Sequence, residues 1–200
     1  MIIKYSYLAA SLLLVTACSD QYTPVSFTAE GDQIVASGTI DHTTLSAFER
    51  VIKENPGIRT LVLQNIEGSV DDDSNVIFSR VVRVEGFDTV VPSNGLVASG
   101  GTDLFLAGNT RVLEPGACVG VHSWGGGGYV AADLPEDHPE HDRYLDYFED
   151  IDVDTDFYWF TLNAAPEDGM HWMTAAEANR FDLTTQAAPR LGTAAICDER

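Results

Sequence analysis

The chain has 200 residues, of which 44% are hydrophobic and 21% charged. That is enough for one packed domain, and it excludes both a disordered polypeptide and a multidomain assembly. With 31 acidic against 11 basic side chains, the net charge of -20 repels phosphate backbones and anionic lipid surfaces, which excludes nucleic acid as a partner.

In chain order, Lys4 is followed by an apolar run to Leu14, too short for a permanent span and shaped like a secretory signal. Its end, Leu14-Val15-Thr16-Ala17-Cys18, resembles the lipobox of bacterial lipoproteins. The resemblance implies residues 1–17 as a leader, lipid on Cys18, and a periplasmic protein held at the outer membrane through that lipid alone. Residues 18–26 then read as a tether and 27–200 as the domain. Beyond Cys18, only Cys118 and Cys197 carry thiols; in an oxidising compartment they either pair or stay free, and only their mutual distance decides.

The domain opens with two short strands around Glu30-Gly31-Asp32. Asp41 precedes an amphipathic helix over residues 43–55 with Leu45, Phe48, Val51 and Ile52 on one face, and Pro56-Gly57 ends it. Residues 58–63 form an apolar strand. The pattern repeats with a helix over 74–86, carrying Val76, Ile77, Val81, Val82 and Val84, and a strand over 87–91. Strand, helix, strand order predicts crossover connections and parallel pairing, an α/β domain. Leu96-Val97-Ala98 reads as a strand that turns at Ser99-Gly100-Gly101 into a short helix, and residues 118–122 read as another buried strand ending at His122. Gly125 to Gly128 reads as a flexible strip and residues 133–142 as a solvated acidic loop. Residues 143–160 are helical with a break near Asp152, and a helix near 174–180 leads to a short strand before the Cys197 tail.

Ser99 at a strand-to-helix turn, with a histidine 23 residues on at the end of the next buried strand, is the pairing from which a hydroxyl nucleophile is made. The stretch Gly95-Leu-Val-Ala-Ser99-Gly-Gly-Thr-Asp-Leu-Phe-Leu-Ala-Gly108, followed by Val119-Gly-Val-His122, resembles the nucleophile turn and histidine strand of the Clp protease proteolytic subunit, in the Clp-protease/crotonase superfamily. Asn65-Ile-Glu-Gly68-Ser69-Val70 is similar to the loop of that family that lines the oxyanion hole. Thr174-Ala-Ala-Glu177-Ala178 is similar to a later helix. The resemblance runs from about residue 34 to 185. It implies a spiral of strand-strand-helix units and a cofactor-free serine hydrolase acting on peptide or acyl bonds. In it Ser99 is the nucleophile, His122 the general base, and the N–H groups of Gly68 and Gly100 the oxyanion donors; homo-oligomers are common among such proteins.

Three departures stand out. Ser69 replaces a glycine of the loop, the segment used to meet an unfoldase is missing, and the family's triad aspartate falls on Met170, leaving Asp168, or failing it Glu167, as the expected acid. A Ser-Lys dyad is set aside because Lys53, the lysine left after the leader, sits in the first amphipathic helix. Crotonase-type chemistry is disfavoured by the scarcity of basic residues to hold coenzyme A. The competing expectation is a non-catalytic envelope binding or scaffold protein whose triad has decayed.

Other patterns carry less. His138 and His141 among carboxylates read as a surface loop before they read as a metal site, so no metal is expected. Asp152, Asp154 and Asp156 begin like a calcium loop, but Phe157 stands where its glycine belongs. Gly125–Gly128 lacks a phosphate-loop continuation. Phe157, Tyr158, Trp159, Phe160 and Trp172 read as core or as a subunit interface, and His171 as structural or close to the site.

Overall fold

A computed structural model describes residues 22–200; the expected leader, Cys18 and the first part of the expected tether lie outside the described residues. The domain starts earlier than expected. Val25 is buried and donates its N–H to the Thr39 carbonyl, and Pro24 bridges Thr39, so residues 24–26 belong to the fold. Strands β1 (Ser26–Glu30) and β2 (Gln33–Ser37) form an antiparallel hairpin whose turn glycine, Gly31, has φ 64°.

Helix α1 (Thr44–Glu54) crosses back to β3 (Thr60–Ile66), which pairs parallel with β2. The Asp41 carboxylate accepts from the Thr43 N–H at 2.8 Å and so braces the start of the helix. Asp71 caps helix α2 (Asp72–Val84) by accepting from the Ser74 N–H. The inward face of α2 carries Asn75, Val76, Phe78, Ser79 and Val82, whereas Ile77 and Val84 are exposed. The apolar stripe of this helix is thus rotated from the expected one, because Phe78 takes the core contact with Phe48.

Strand β3 forks the sheet. Its first residues pair with β4 (Asp88–Val91), and Asn65 and Ile66 pair with β5 (Leu96–Ala98), both parallel. Helix α3 (Gly100–Leu106) follows β5 directly, packs under β4, and is continued by β6 (Arg111–Leu113) beside β4 and by β7 (Cys118–Val121) beside β5. This is the expected α/β spiral of strand-strand-helix units, with parallel strands that read as apolar runs because helices cover them.

Gly125–Gly128 is not a loose strip. Strands β8 (Gly125–Gly126) and β9 (Tyr129–Val130) make a hairpin, with Gly127 and Gly128 at φ 60° and 89°, the pair of left-handed residues that a tight two-residue turn demands. Residues 133–142 are also only partly solvated, since His141 is fully buried. Helices α4 (Asp142–Asp150) and α5 (Asp156–Ala164) then pack over one side of the domain. Phe157 and Tyr158 enter the core there, while Trp159 and Phe160 lie half-buried.

A two-residue strand, β10 (His171–Trp172), joins β7 antiparallel and precedes helix α6 (Ala175–Arg180), which starts on a reciprocal Thr174–Glu177 capping box. The strand expected after Arg180 is absent. Residues 181–193 contain Pro189 and Gly192 and run as coil tied by single bonds, Thr185 N–H to Arg111 and Gly192 N–H to Ala117. Helix α7 (Ala194–Cys197) ends the fold, and Cys197 forms a disulfide with Cys118 across a Cα–Cα distance of 5.7 Å. Among the described residues, no helix is long and apolar enough to cross a membrane.

Candidate active site

Ser99 is positioned by three contacts with its surroundings. The parallel register sets Ala98 opposite Gly120, the Ser99 N–H donates to the Gly120 carbonyl at 3.0 Å, and the hydroxyl of Thr102 donates to the same carbonyl at 2.8 Å. The backbone of Ser99 itself lies at φ 51°, ψ -128°, a conformation that L-residues rarely adopt. Holding it costs about 1–3 kcal/mol, which the surrounding bonds over-determine. The turn lifts the side chain off the sheet at the point where strand becomes helix.

Two glycines make the turn possible. A Cβ on Gly101 would fall 2.1 Å from the Ile66 carbonyl oxygen, so only glycine lets α3 start this close to β3. Gly68 has φ 154°, and its α-carbon face abuts Ser99: a Cβ there would come within 3.3 Å of the Ser99 Cβ. The N–H groups of Gly68 and Gly100 take no hydrogen-bond partner among the described residues. Asn75, buried on α2, donates its amide to the Gly100 carbonyl at 3.0 Å and pins the first turn of α3 to its neighbour. Ser69, the departure from the family's glycine, leaves Gly100 no room for a side chain and donates to Asp72.

His122 follows β7 and lines the same cleft as Ser99. No hydrogen bond joins the two side chains. The His122 Nδ1 atom is buried without a partner. The cause lies across the sheet. His171 pairs with Val121 in the antiparallel register, so one more step sets Met170 opposite His122, and the Met170 thioether packs against Gly120 and Trp172. Extended by one residue, this register puts an apolar side chain, and no acid, at the position across from His122. The expectation that Asp168 fills this role is not met: Asp168 is exposed on the turn closed by the Gly169 N–H to Pro166 carbonyl bond and makes no bond to His122. Glu167 is exposed as well and lies against Gly125. His171 bonds Glu177 at 3.1 Å through Nε2 and packs on Phe160, a structural arrangement.

The cleft around Ser99 is narrow, with about 40 Å³ open to the centre of a water molecule. Besides Ser99 and His122 it is lined by Asp72 and Asp103 and by the rings of Trp124, Tyr144 and Tyr158. Sequence reasoning missed these five. A signal existed for two of them: Asp103 stands one helical turn after Ser99, and Trp124 stands two residues after His122. Burial, together with the neighbouring Asp72 charge, pushes the Asp103 carboxyl up to about 8. Burial also raises the Tyr158 hydroxyl to about 12 and Tyr144 further still, the latter helped by Asp72, to which it donates at 2.7 Å.

His141 belongs to the wall behind the cleft. Its Nδ1 meets the Tyr158 hydroxyl at 2.6 Å, Trp124 Nε1 donates to that hydroxyl at 3.0 Å, and burial holds the imidazole below its ordinary pKa. His138 instead accepts from the Glu140 N–H. Among the described residues, no group of three histidine, cysteine or carboxylate side chains is arranged to hold a metal ion.

The forked parallel sheet, the glycine loop after β3 and the serine between β5 and α3 define a Clp-protease/crotonase fold. No protein-family model matches the chain, and no curated protein matches it in sequence. Solved structures do. A mutant of the 1510-N membrane-bound stomatin-specific protease, in complex with a substrate peptide, is similar with a TM-score of 0.51 and 14% identity over 80% of this chain and 73% of that one. Methylmalonyl CoA decarboxylase is similar with a TM-score of 0.52 and 11% identity over 90% of this chain and 71% of that one. A protease and a decarboxylase share this architecture, so the activity has to be argued from the site.

Proposed function

We propose that the protein is a serine hydrolase of the cell envelope, anchored by lipid at Cys18, that cleaves peptide or simple acyl bonds without a cofactor. The observation that carries the reading is the strained, left-handed backbone of Ser99 at a strand-to-helix turn, between the unpartnered N–H groups of Gly68 and Gly100. Strain of this kind persists where it aims a reacting group. In the cycle, the Ser99 hydroxyl attacks the carbonyl carbon while His122 takes its proton, through Nε2 given that Nδ1 is buried. The oxyanion leans on the two glycine N–H groups. His122 then passes the proton to the leaving group, and water, activated by the same imidazole, frees the acyl chain from Ser99.

The imidazole lacks an acid behind it, and this implies slow turnover. A second reading follows from the same fact: the buried, unpartnered Nδ1 of His122 is what a decayed triad would leave, in a protein that binds envelope partners without chemistry. Labelling of the domain from residue 22 onward with a fluorophosphonate separates the two. The hydrolase reading expects labelling that vanishes in Ser99→Ala and falls in His122→Ala. A folded wild-type protein that stays unlabelled over hours at millimolar reagent supports the binding protein instead.

A further inference from the structure

The cleft beside Ser99 contains a group that the hydrolytic cycle does not use. Asp103 sits one turn into α3, its main chain held by its N–H to the Ser99 carbonyl at 3.3 Å and by the Tyr147 hydroxyl on its own carbonyl at 2.7 Å. Its carboxyl, by contrast, has no hydrogen-bond partner among the described residues and is only partly buried where it lines the cleft. A ligand that fills the cleft buries this group, which is costly unless the ligand brings it a donor or a cation.

The surroundings select among ligands. Asp72 lines the same cleft, and its donors are neutral hydroxyls, from Tyr144 and Ser69, which leave its charge uncompensated. The wall is a stack of aromatic faces, Trp124 on Tyr144 with centroids 5.5 Å apart and Tyr144 on Tyr158 with centroids 5.4 Å apart. Arg143 stands outside, bonded to Asp73 and Glu140, and lines the adjoining groove instead of the cleft. Its guanidinium lies 5.4 Å from the Tyr144 ring centroid, so this aromatic wall already accepts one cation on its outer side. That groove shares Asp72 and Trp124 with the cleft and adds Asp71 and Asp73, so the approach is acidic too. The Asp72 charge repels an anion, and an apolar chain would leave Asp103 unmatched. A cation satisfies both carboxyls and gains from the ring faces.

We propose that the cleft is a subsite for a positively charged side chain, lysine or arginine, of a peptide substrate, with Asp103 as its counter-ion and Trp124, Tyr144 and Tyr158 as its walls. This rests on the reading of Ser99 as the reacting group and adds the substrate class. Burial and the Asp72 charge keep the empty Asp103 carboxyl largely protonated near neutrality, so entry of an ammonium or guanidinium group releases a proton to solvent. A neutral Asp103 could instead donate to an uncharged amide, which makes glutamine the informative competitor.

The test compares peptidyl diphenyl phosphonates that differ only in the residue at the reacting position: lysine, leucine, glutamine or glutamate. The reagents are applied to the folded domain at about 0.15 M salt, because a net charge of -20 attracts every cation at low salt. The expected result is labelling of Ser99 about 10-fold faster with lysine than with leucine or glutamine, and slowest with glutamate. In Asp103→Asn, or in Asp103→Ser should the first variant fail to fold, the lysine-to-leucine ratio falls below about 3. Equal or faster reaction with leucine or glutamine, or a lysine preference that survives both variants, overturns the subsite while leaving the hydrolase standing. Where a plain fluorophosphonate fails as well, the hydrolase reading falls. The subsite is then judged on Ser99→Ala by calorimetry with acetyl-Ala-Ala-Lys-amide and its leucine counterpart: lysine-selective binding lost in Asp103→Asn upholds it, and equal or absent binding overturns it.

Discussion

Met170→Asp tests the proposed role of His122 by placing a carboxyl at position 170. The antiparallel pairing of His171 with Val121 sets residue 170 opposite His122, and cross-strand partners project to the same face, within about 5 Å of each other at Cβ. The His122 Nδ1 is buried and unpartnered, so a carboxylate introduced there meets a donor that nothing else competes for. A hydrogen bond between an imidazole and a carboxylate out of bulk water contributes about 1.5–3 kcal/mol, and most of it appears only when the imidazole becomes charged in the transition state. Converted to rate, that is about 10- to 150-fold. The assay is the second-order rate constant for fluorophosphonate labelling, with Ser99→Ala as the blank and Met170→Asn as the control of matched shape, which cannot compensate an imidazolium. We expect Met170→Asp to label about 10-fold faster or better, with the pH profile moved to higher pH because the acid favours the charged ring, and Met170→Asn to change the rate less than about 3-fold. A folded Met170→Asp protein that labels no faster than wild type would refute the reasoning. Either His122 is then not the base, or residue 170 does not face it.

Three further outcomes follow from the same geometry. Asp103 rises from 3.8 in the unfolded chain to about 8 in the fold, so between those values the folded state holds a proton that the unfolded state has lost. Stability therefore falls as pH rises from about 4 to about 8, by up to roughly 1.4 kcal/mol per unit, and is flat below that window. The groups around Asp103, namely Asp72 on α2, His122 after β7, Tyr144 and Tyr147 on α4 and Tyr158 on α5, are shared by wild type and Asp103→Asn. Urea unfolding at pH 5 and pH 8 should thus show a wild-type loss about 4 kcal/mol larger than that of Asp103→Asn, and equal slopes would count against a buried acid. Ser99→Gly, freed of a backbone at φ 51°, should be about 1 kcal/mol more stable than Ser99→Ala in denaturant while neither labels, and the opposite order would remove the argument from strain. The Cys118–Cys197 bond spans a sequence separation of 79, and loop-closure entropy at that length puts the cost of the double serine variant at about 4 kcal/mol, measured by thermal or urea unfolding.

The alternation of strands and helices was legible because its cause is local: apolar residues at helical spacing over 44–54 and apolar runs at 60–66, 96–98 and 118–121 leave few other ways to bury them. The site was legible only where sequence distance is short. Ser99, Gly100 and the following helix are contiguous, and His122 arrives through a single parallel pairing. Asp72, Tyr144 and Tyr158 come from three different helices and converge only after packing, which no spacing encodes. Strand β10 has two residues, too few for any period to register, and its pairing with β7 is what brings Met170 beside Gly120.

These two classes of residue bear on one question, whether the cleft has been kept for use. A serine site in decay would be expected to lose its strain first, since Ser99 destabilises the fold for as long as it remains a non-glycine residue at φ 51°. The chain instead retains that strain, the glycines at 68 and 101 that permit it, and the buried Asn75 that pins the turn. Beside it, Asp103 presents a carboxyl without a hydrogen-bond partner to the same cleft. The absence of an acid at position 170 would slow the proposed reaction without removing any of these features, because an imidazole and oxyanion donors work without it at reduced rate. The strain kept at this cleft therefore outweighs one missing partner and supports the proposed chemistry at Ser99, with Asp103 as the group proposed to select the substrate.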